Sequence, residues 1–419
     1  MNKEKENKKL SVLWYSNSPA AVSGYGKCAK YICTGLAKDR RVGISPNYGW
    51  GMGEMTINNF TIHAQGGGLS LKETIHHYLH HEYDTLITQY DTFVLGELAN
   101  LVKKHKITWT PYVPIDFEII PHNIKNILST ATMIIPFSYF AYNKLSSVGF
   151  TNLSDPIYHG VDTEVYTPNN SPKEELRQAL GFRDKQFIIT IVAMNKGMRK
   201  CIPDQLEGIK IFLDNNPDMI TSTGIYLHTD PGRGDGVNLR ELVKELGIND
   251  YVRFPEGYSY FTGWTEEQMS LLYNASDVVL NCTSSEGFGM AIPEAMSCGI
   301  PVIATDVMVM KELLTPITPE LLVKPRSVQW IPINSLQHLP DVYDIAEKIE
   351  DVLNTDPEVY RKKLPEYARK TFDWEKIIQK WNIFLDETLP NFIDEQCLKV
   401  PTTQSEYLHS LSEEIMEAI

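Results

Sequence analysis

The stretch DVVLNCTSSEGFGMAIPEAMSCGIPVIAT, residues 277–305, constrains the fold more than any other part of the chain. An apolar run, DVVLNCT, leads into a glycine-flanked aromatic, Gly287-Phe288-Gly289. A short amphipathic helix follows, closes at Cys-Gly-Ile-Pro and opens into a second apolar run, PVIAT. Two buried-strand patterns joined by one helix belong in a parallel sheet, covered on both faces. The same residues suit a sugar attached to a diphosphate. Gly287 and Gly289 let backbone approach a ligand closely. The first N–H groups of the helix lack intrahelical acceptors and attract phosphate. Glu294, about a turn inside the helix, accepts from a ribose diol, and Glu286, before it, accepts from sugar hydroxyls.

Similar alternation runs through the rest of the 419 residues, a length that favours two α/β domains. In the first half LSVLWYS (10–16) reads as a strand, with a helical pattern over Tyr25–Leu36. YDTLITQ, TWTPYVP and ATMIIPFS follow as further strands between helical segments. PIYHGVDTEVYTPNNSPKEE (156–172 and the residues after it) reads as a linker ending in a helix cap, Ser171 before Pro172. The second half repeats the alternation with FIITIVAM, TGIYLHT, YVRFP, DVVLNCT and PVIAT. The expected fold class is therefore α/β, with two doubly wound Rossmann-like domains. The first spans 1–165, completed by 386–419, and the second spans 170–385.

A net charge of −14 argues against a broad nucleic-acid footprint while leaving local contact open. The six cysteines form no CxxC pair or regular framework, which fits reduced thiols and a cytoplasmic location. The charged start MNKEKENKKL has no apolar run behind it, and no segment reads as a membrane span.

Residues 277–305 resemble the signature of the retaining GT-B glycosyltransferases, the superfamily that includes glycogen and sucrose synthases and is of the glycosyltransferase family four type. HGVDTEVYTP (159–168) is similar to that superfamily's entry to its nucleotide-binding half, and SGYG (23–26) to its glycine loop after the first strand. The resemblance implies two domains facing across a cleft, with a C-terminal helix returning to the N-terminal domain. It implies that Glu294 binds the nucleotide ribose and Glu286 the donor sugar, while the backbone at Phe288, Gly289 and Met290 caps the phosphates. Gly24 and Gly26, with Gly287, complete the expected donor-binding set. The family places an Arg and a Lys after the first strand of the second domain. Here VAMNKGMRKC makes Arg199 and Lys200 adjacent, with Asn195 where the arginine is expected. Two cations for a diphosphate are retained. The loop near Glu256–Phe261 is implied to meet the base.

Other constellations stay open on the residues alone. Asp116, in the proline-bounded YVPIDFEIIP, either orients an acceptor hydroxyl or sugar, or caps local N–H groups in a turn. SGYGKCA is a substrate- or phosphate-facing loop or a plain turn. It starts too far from its strand for a dinucleotide fingerprint. His76/His80 and His77/His81 stand at i,i+4 spacing able to bind zinc, against a solvated or partly packed helix face. His159 is either an active-site or a packing residue.

The function implied is retaining transfer of a hexose or related sugar from a UDP-, GDP- or TDP-sugar to an acceptor hydroxyl. The resemblance implies no obligatory metal and no further cofactor, with Arg199, Lys200, Glu286 and Asp116 as catalytic candidates. Saccharide, protein and modified nucleic acid all fit as acceptors. The rivals are a GT-B nucleotide-sugar 2-epimerase, a phosphorylase, and a non-catalytic sugar-nucleotide-binding partner subunit.

Overall fold

The computed structural model describes residues 9–50, 53–66, 68–232 and 234–392, Tyr258 along its backbone only. These divide into two compact units. One comprises the chain up to Pro114, Ile120–Tyr158 and the chain from Trp374 onward; the other comprises Ile115–Ile119 and His159–Asp373.

The first unit is built on a seven-stranded sheet. Its strands are β1 (Val12–Ser16), β2 (Val42–Pro46), β3 (Met55–Ile57), β4 (Phe60–Ile62), β5 (Thr85–Gln89), β6 (Trp109–Val113) and β7 (Ile135–Pro136). The order is β3-β4-β2-β1-β5-β6-β7, parallel apart from the β3–β4 hairpin. Every residue of β1, β2, β5 and β6 is buried, as parallel strands with helices on both faces require. One face packs Leu13, Tyr15, Leu86 and Trp109 with the helices Leu71–His80 and Gly96–His105. On Trp14 and Tyr112 lies Trp381, its ring centroid 5.1 and 5.0 Å from theirs, edge-on.

Trp381 belongs to the helix Trp374–Ile383, so the chain joins the first unit at Trp374 rather than at 386. At that boundary Val161 N–H donates to Phe372 O at 2.7 Å, and Thr163 Oγ1 donates to Asp373 Oδ2. These bonds hold both ends of the second unit together at 159–163 and 372–373, and they place its start before 165. Residues 393–419, with most of the expected C-terminal completion, lie outside the described residues.

The second unit has a six-stranded, wholly parallel sheet. Its strands are β8 (Phe187–Val192), β9 (Thr223–His228), β10 (Val252–Arg253), β11 (Val278–Asn281), β12 (Val302–Thr305) and β13 (Leu322–Val323), in the order β10-β9-β8-β11-β12-β13. An antiparallel hairpin, β14 (Pro325–Ile331) and β15 (Ser335–Pro340), is added to it. The helix expected to start at Pro172 begins at Lys173, and no side chain caps it; Ser171 N–H instead donates to Asn169 Oδ1.

Candidate functional site

Strand order places the site. In the second sheet the winding reverses between β8 and β11, which pair in parallel. Loops leaving the C-terminal ends of two such strands emerge side by side and leave a crevice for a ligand. The loop after β8 carries Arg199 and Lys200, and the loop after β11 carries Glu286.

The three side chains meet. Arg199 NH1 donates to Glu286 Oε2 at 3.1 Å and to Ser285 O at 2.6 Å, and Lys200 Nζ donates to Glu286 Oε1. Asp116 joins them, its Oδ2 4.0 Å from Arg199 Nε. Adjacent residues reach one carboxylate because the backbone turns there. Cys201 N–H donates to Met198 O at 3.0 Å, and Cys201 sits at φ 45° just before the helix Ile202–Asn215. Burial opposes ionisation of Glu286, but the Lys200 ammonium and the Arg199 guanidinium outweigh it and bring the carboxyl down to about 2. Burial lowers the Lys200 ammonium, and Glu286 opposes that shift. Glu286 is 6% exposed at its side chain, Lys200 19% and Arg199 36%, so the cations keep the open side.

Glu294 is the fourth residue of the helix Ala291–Ser297 and is buried. Tyr273 O–H donates to its Oε2 at 2.8 Å. Burial and then the Glu294 carboxylate push the Tyr273 phenol well up, so it stays a donor. Gly289, with φ 83°, makes the left-handed turn into this helix; Gly287 does not share that conformation. Phe288 turns inward, its ring 4.7 Å from His159 and 6.3 Å from Phe372. His159 is buried, and burial holds it down to about 3.

Gly24 and Gly26 lie in the first unit, at the start of the helix Gly24–Leu36. Ser23 caps that helix, its Oγ accepting from Gly26 N–H at 3.0 Å and from Asn17 Nδ2 at 2.8 Å. A Cβ on Gly26 would stand 2.6 Å from the carbonyl oxygens of both Ser18 and Ala21. Close backbone packing therefore accounts for this glycine. The residues 256–261 contribute the helix Gly257–Thr262, with Phe261 exposed.

Several contacts have no counterpart in the sequence reading. Asn195, at the position where an arginine is expected, spends its amide on the neighbouring loop. Its Nδ2 donates to Asp230 O and Val237 O, and its Oδ1 accepts from Val237 N–H. Gln337, on β15, donates to Ser285 Oγ at 3.0 Å and accepts from Ser284 Oγ at 3.2 Å, bracing the loop that carries Glu286. The 115–119 segment is held on the same hairpin by Ile119 N–H to Ser335 Oγ at 2.8 Å and by His338 Nε2 with Glu118 Oε1 at 3.3 Å. A lone glutamine in a hairpin strand carries no motif to announce it.

With this geometry in place, likeness to known proteins becomes informative. The family model for glycosyl transferases group 1 matches residues 203–354, a span that holds Glu286 and Glu294 and begins just past Lys200. The D-inositol 3-phosphate glycosyltransferase of Mycolicibacterium smegmatis is 26% identical over 227 residues, 52% of this chain and 44% of that protein. Its counterpart in Mycobacterium marinum is 29% identical over 160 residues, 36% of this chain and 30% of that protein. The chain thus spans less than half the length of these relatives.

Among solved structures, sucrose-phosphate synthase from Thermosynechococcus elongatus superposes with a TM-score of 0.70 at 19% identity, covering 91% of this chain and 100% of that one. Anabaena HepE in complex with UDP and glucose superposes with a TM-score of 0.69 at 18% identity and the same coverage. The fold is that of the GT-B glycosyltransferases. Within it, residues 203–354 are the part that is similar to the glycosyl transferases group 1 model.

Proposed function

We propose that this chain is a retaining glycosyltransferase that moves a hexose or related sugar from a nucleotide-diphosphate sugar to an acceptor hydroxyl. The observation that carries this is the convergence of Arg199 and Lys200 on Glu286 at the switch point of the second sheet. The named relatives support it: the curated ones are glycosyltransferases, and the HepE structure is a complex with UDP and glucose.

In the chain as described, Arg199 and Lys200 are balanced by Glu286 and Asp116, so the cluster carries no net charge. A donor diphosphate takes the place of the carboxylate as partner of the cations, and Glu286 turns to the sugar hydroxyls. Glu294, its carboxylate oriented by Tyr273, receives the ribose. Met290 and Gly289 present backbone to the phosphates. As the bond from the anomeric carbon to the phosphate oxygen breaks, negative charge grows on the departing diphosphate. Two preorganised cations stabilise that charge where water would have to reorganise. The bond to the acceptor oxygen forms on the same face, and the acceptor proton passes to the leaving phosphate. Arg199 and Lys200 supply the charge that a metal would otherwise bring, so no metal is obligatory. Asp116 lies beside Arg199, placed to orient the sugar or the acceptor hydroxyl. The five described cysteines are all buried and free, in keeping with a cytoplasmic location, and no described helix is long and apolar enough to cross a membrane.

A nucleotide-release assay over UDP-, GDP- and TDP-sugars, with and without a saccharide acceptor, tests the activity. Release that rises with acceptor is the expected outcome. Equal release of free sugar without acceptor selects the epimerase, and thermal stabilisation by a sugar nucleotide without turnover selects the non-catalytic subunit.

A further inference from the structure

The histidines of the first unit that were weighed as a helix face gain partners from elsewhere in the fold. His77 stands on the helix Leu71–His80, and His81 caps its C-terminus one turn on. His63 follows β4, and Glu54 precedes β3. The three imidazoles each offer a nitrogen within 4.8 Å of the others. The His63 ring stacks on those of His77 and His81, centroids 4.6 and 4.5 Å apart at 14° and 28°, so a ring must tilt for the nitrogens to share one ion. Glu54 Oε2 sits where two of them point, 2.7 Å from His63 Nδ1 and 3.8 Å from His81 Nε2. Tetrahedral ligands at ~2.1 Å from a zinc ion stand about 3.4 Å apart, a spacing these two distances bracket.

The outer nitrogens of His77 and His63 are held as metal-binding histidines require. His77 Nε2 donates to Ala64 O at 3.1 Å, which leaves Nδ1 as the ligand atom. His63 Nε2 meets Tyr83 O–H at 2.9 Å, and a hydroxyl can rotate to accept from it. Room for that pair comes from Gly43 in the middle of β2. A Cβ there would stand 2.0 Å from Tyr83 Oη and 2.7 Å from His63 Nε2. A glycine inside a strand weakens it, and close approach of another group is one reason for it to be there. Arg41 donates to the carbonyls of His81 and Glu82 at 2.6 Å each, fixing the end of the helix. Its charge works against a cation, and the Glu54 carboxylate offsets it.

We propose that His63, His77, His81 and Glu54 form a site for a divalent transition metal of the zinc type, tying the helix Leu71–His80 to the β3–β4 edge of the first sheet. Imidazole with one carboxylate suits zinc, cobalt, nickel and copper rather than magnesium or calcium. The role is structural and separate from the chemistry proposed for the second unit, so either assignment can fail without the other.

The full chain, stripped with a chelator, is titrated with Zn2+ by calorimetry and with Co2+ by visible absorption. Expected are one equivalent bound per chain, the absorption of four-coordinate cobalt, and a thermal midpoint that rises with free Zn2+. Glu54→Gln, His77→Gln and His81→Gln should each weaken binding about tenfold or more, the loss typical even of outer partners of a metal site. His80→Gln and His122→Ala should leave affinity unchanged. Circular dichroism of each metal-free variant confirms that lost binding is not lost folding. Absence of stoichiometric binding in the wild type overturns the proposal. So does equal binding in the folded ligand variants, or a loss that follows His80 or His122 instead.

Discussion

At the scale of single residues, Glu286 decides how the cluster behaves before any donor arrives. Its carboxyl stands at about 2, below the ~4.3 of an unfolded chain, because Lys200 and Arg199 outweigh the effect of burial. A depressed carboxylate contributes stability that is fully present above its unfolded pKa and is lost as pH falls through the folded value. Glu286→Gln leaves two partly buried cations with Asp116 alone as counter-charge, 4.0 Å from Arg199, a change of a kind that costs up to about 3 kcal/mol at neutral pH. The difference in thermal midpoint between wild type and Glu286→Gln should therefore be largest near pH 7 and shrink between about pH 4.5 and 2. A difference that stays constant down to pH 2.5 would show that the ion pairs do not hold this site. In kinetics, Arg199→Ala and Lys200→Ala should lower kcat by ten- to a hundredfold or more with little change in KM, since their charge matters most as the phosphate departs. Wild-type kinetics in both would remove the phosphate-clamp assignment. The residue types of this cluster were legible in the sequence because the glycine-glutamate signature is local. How Arg199 reaches the carboxylate from beside Lys200 was not, since that depends on the turn at Cys201, with Asn195 engaged by the 229–237 loop.

At the scale of elements, most strands buried on both faces were readable, β2 being the exception, and the short or exposed edge strands mostly were not. β1, β5, β6, β8, β9, β11 and β12 are continuous apolar runs whose ends shift by only a residue or two from the sequence reading. β7 is a two-residue remnant of ATMIIPFS, and β3 and β4 are three residues each, too short to set a period. β14 is almost wholly exposed, so nothing in its pattern demanded a strand, yet its partner β15 brings Gln337 to the Glu286 loop. Gly26 shows a different gap. The sequence offered a ligand-facing loop, whereas the packing of Ser18 and Ala21 carbonyls against it explains the glycine without a ligand. Gly26→Ala should lower stability by about 1–3 kcal/mol, the usual range for an added methyl group in a filled space. Chemical denaturation measures this directly, and an unchanged midpoint would return Gly26 to the ligand-facing reading.

At the scale of the molecule, the two units divide the labour of inference. The second contains the span 203–354 that matches the group 1 model, and every member of the Arg199–Lys200–Glu286–Asp116 cluster. The first contains the histidine cluster and the Gly24–Gly26 helix start. Two doubly wound sheets could be anticipated because strand and helix alternate throughout. Their limits shifted because long-range partners set them, Trp381 on Trp14 and Val161 beside Phe372. The central claim is that the switch point of the second sheet holds a nucleotide-diphosphate sugar. Calorimetric titration of the full chain and of Glu294→Ala with a panel of UDP-, GDP- and TDP-sugars tests it most directly. One donor class should bind the wild type at one per chain and bind Glu294→Ala about tenfold or more weakly, as loss of charge-assisted ribose hydrogen bonds implies. Failure of every donor to bind, or equal binding by a folded Glu294→Ala variant, would contradict the account.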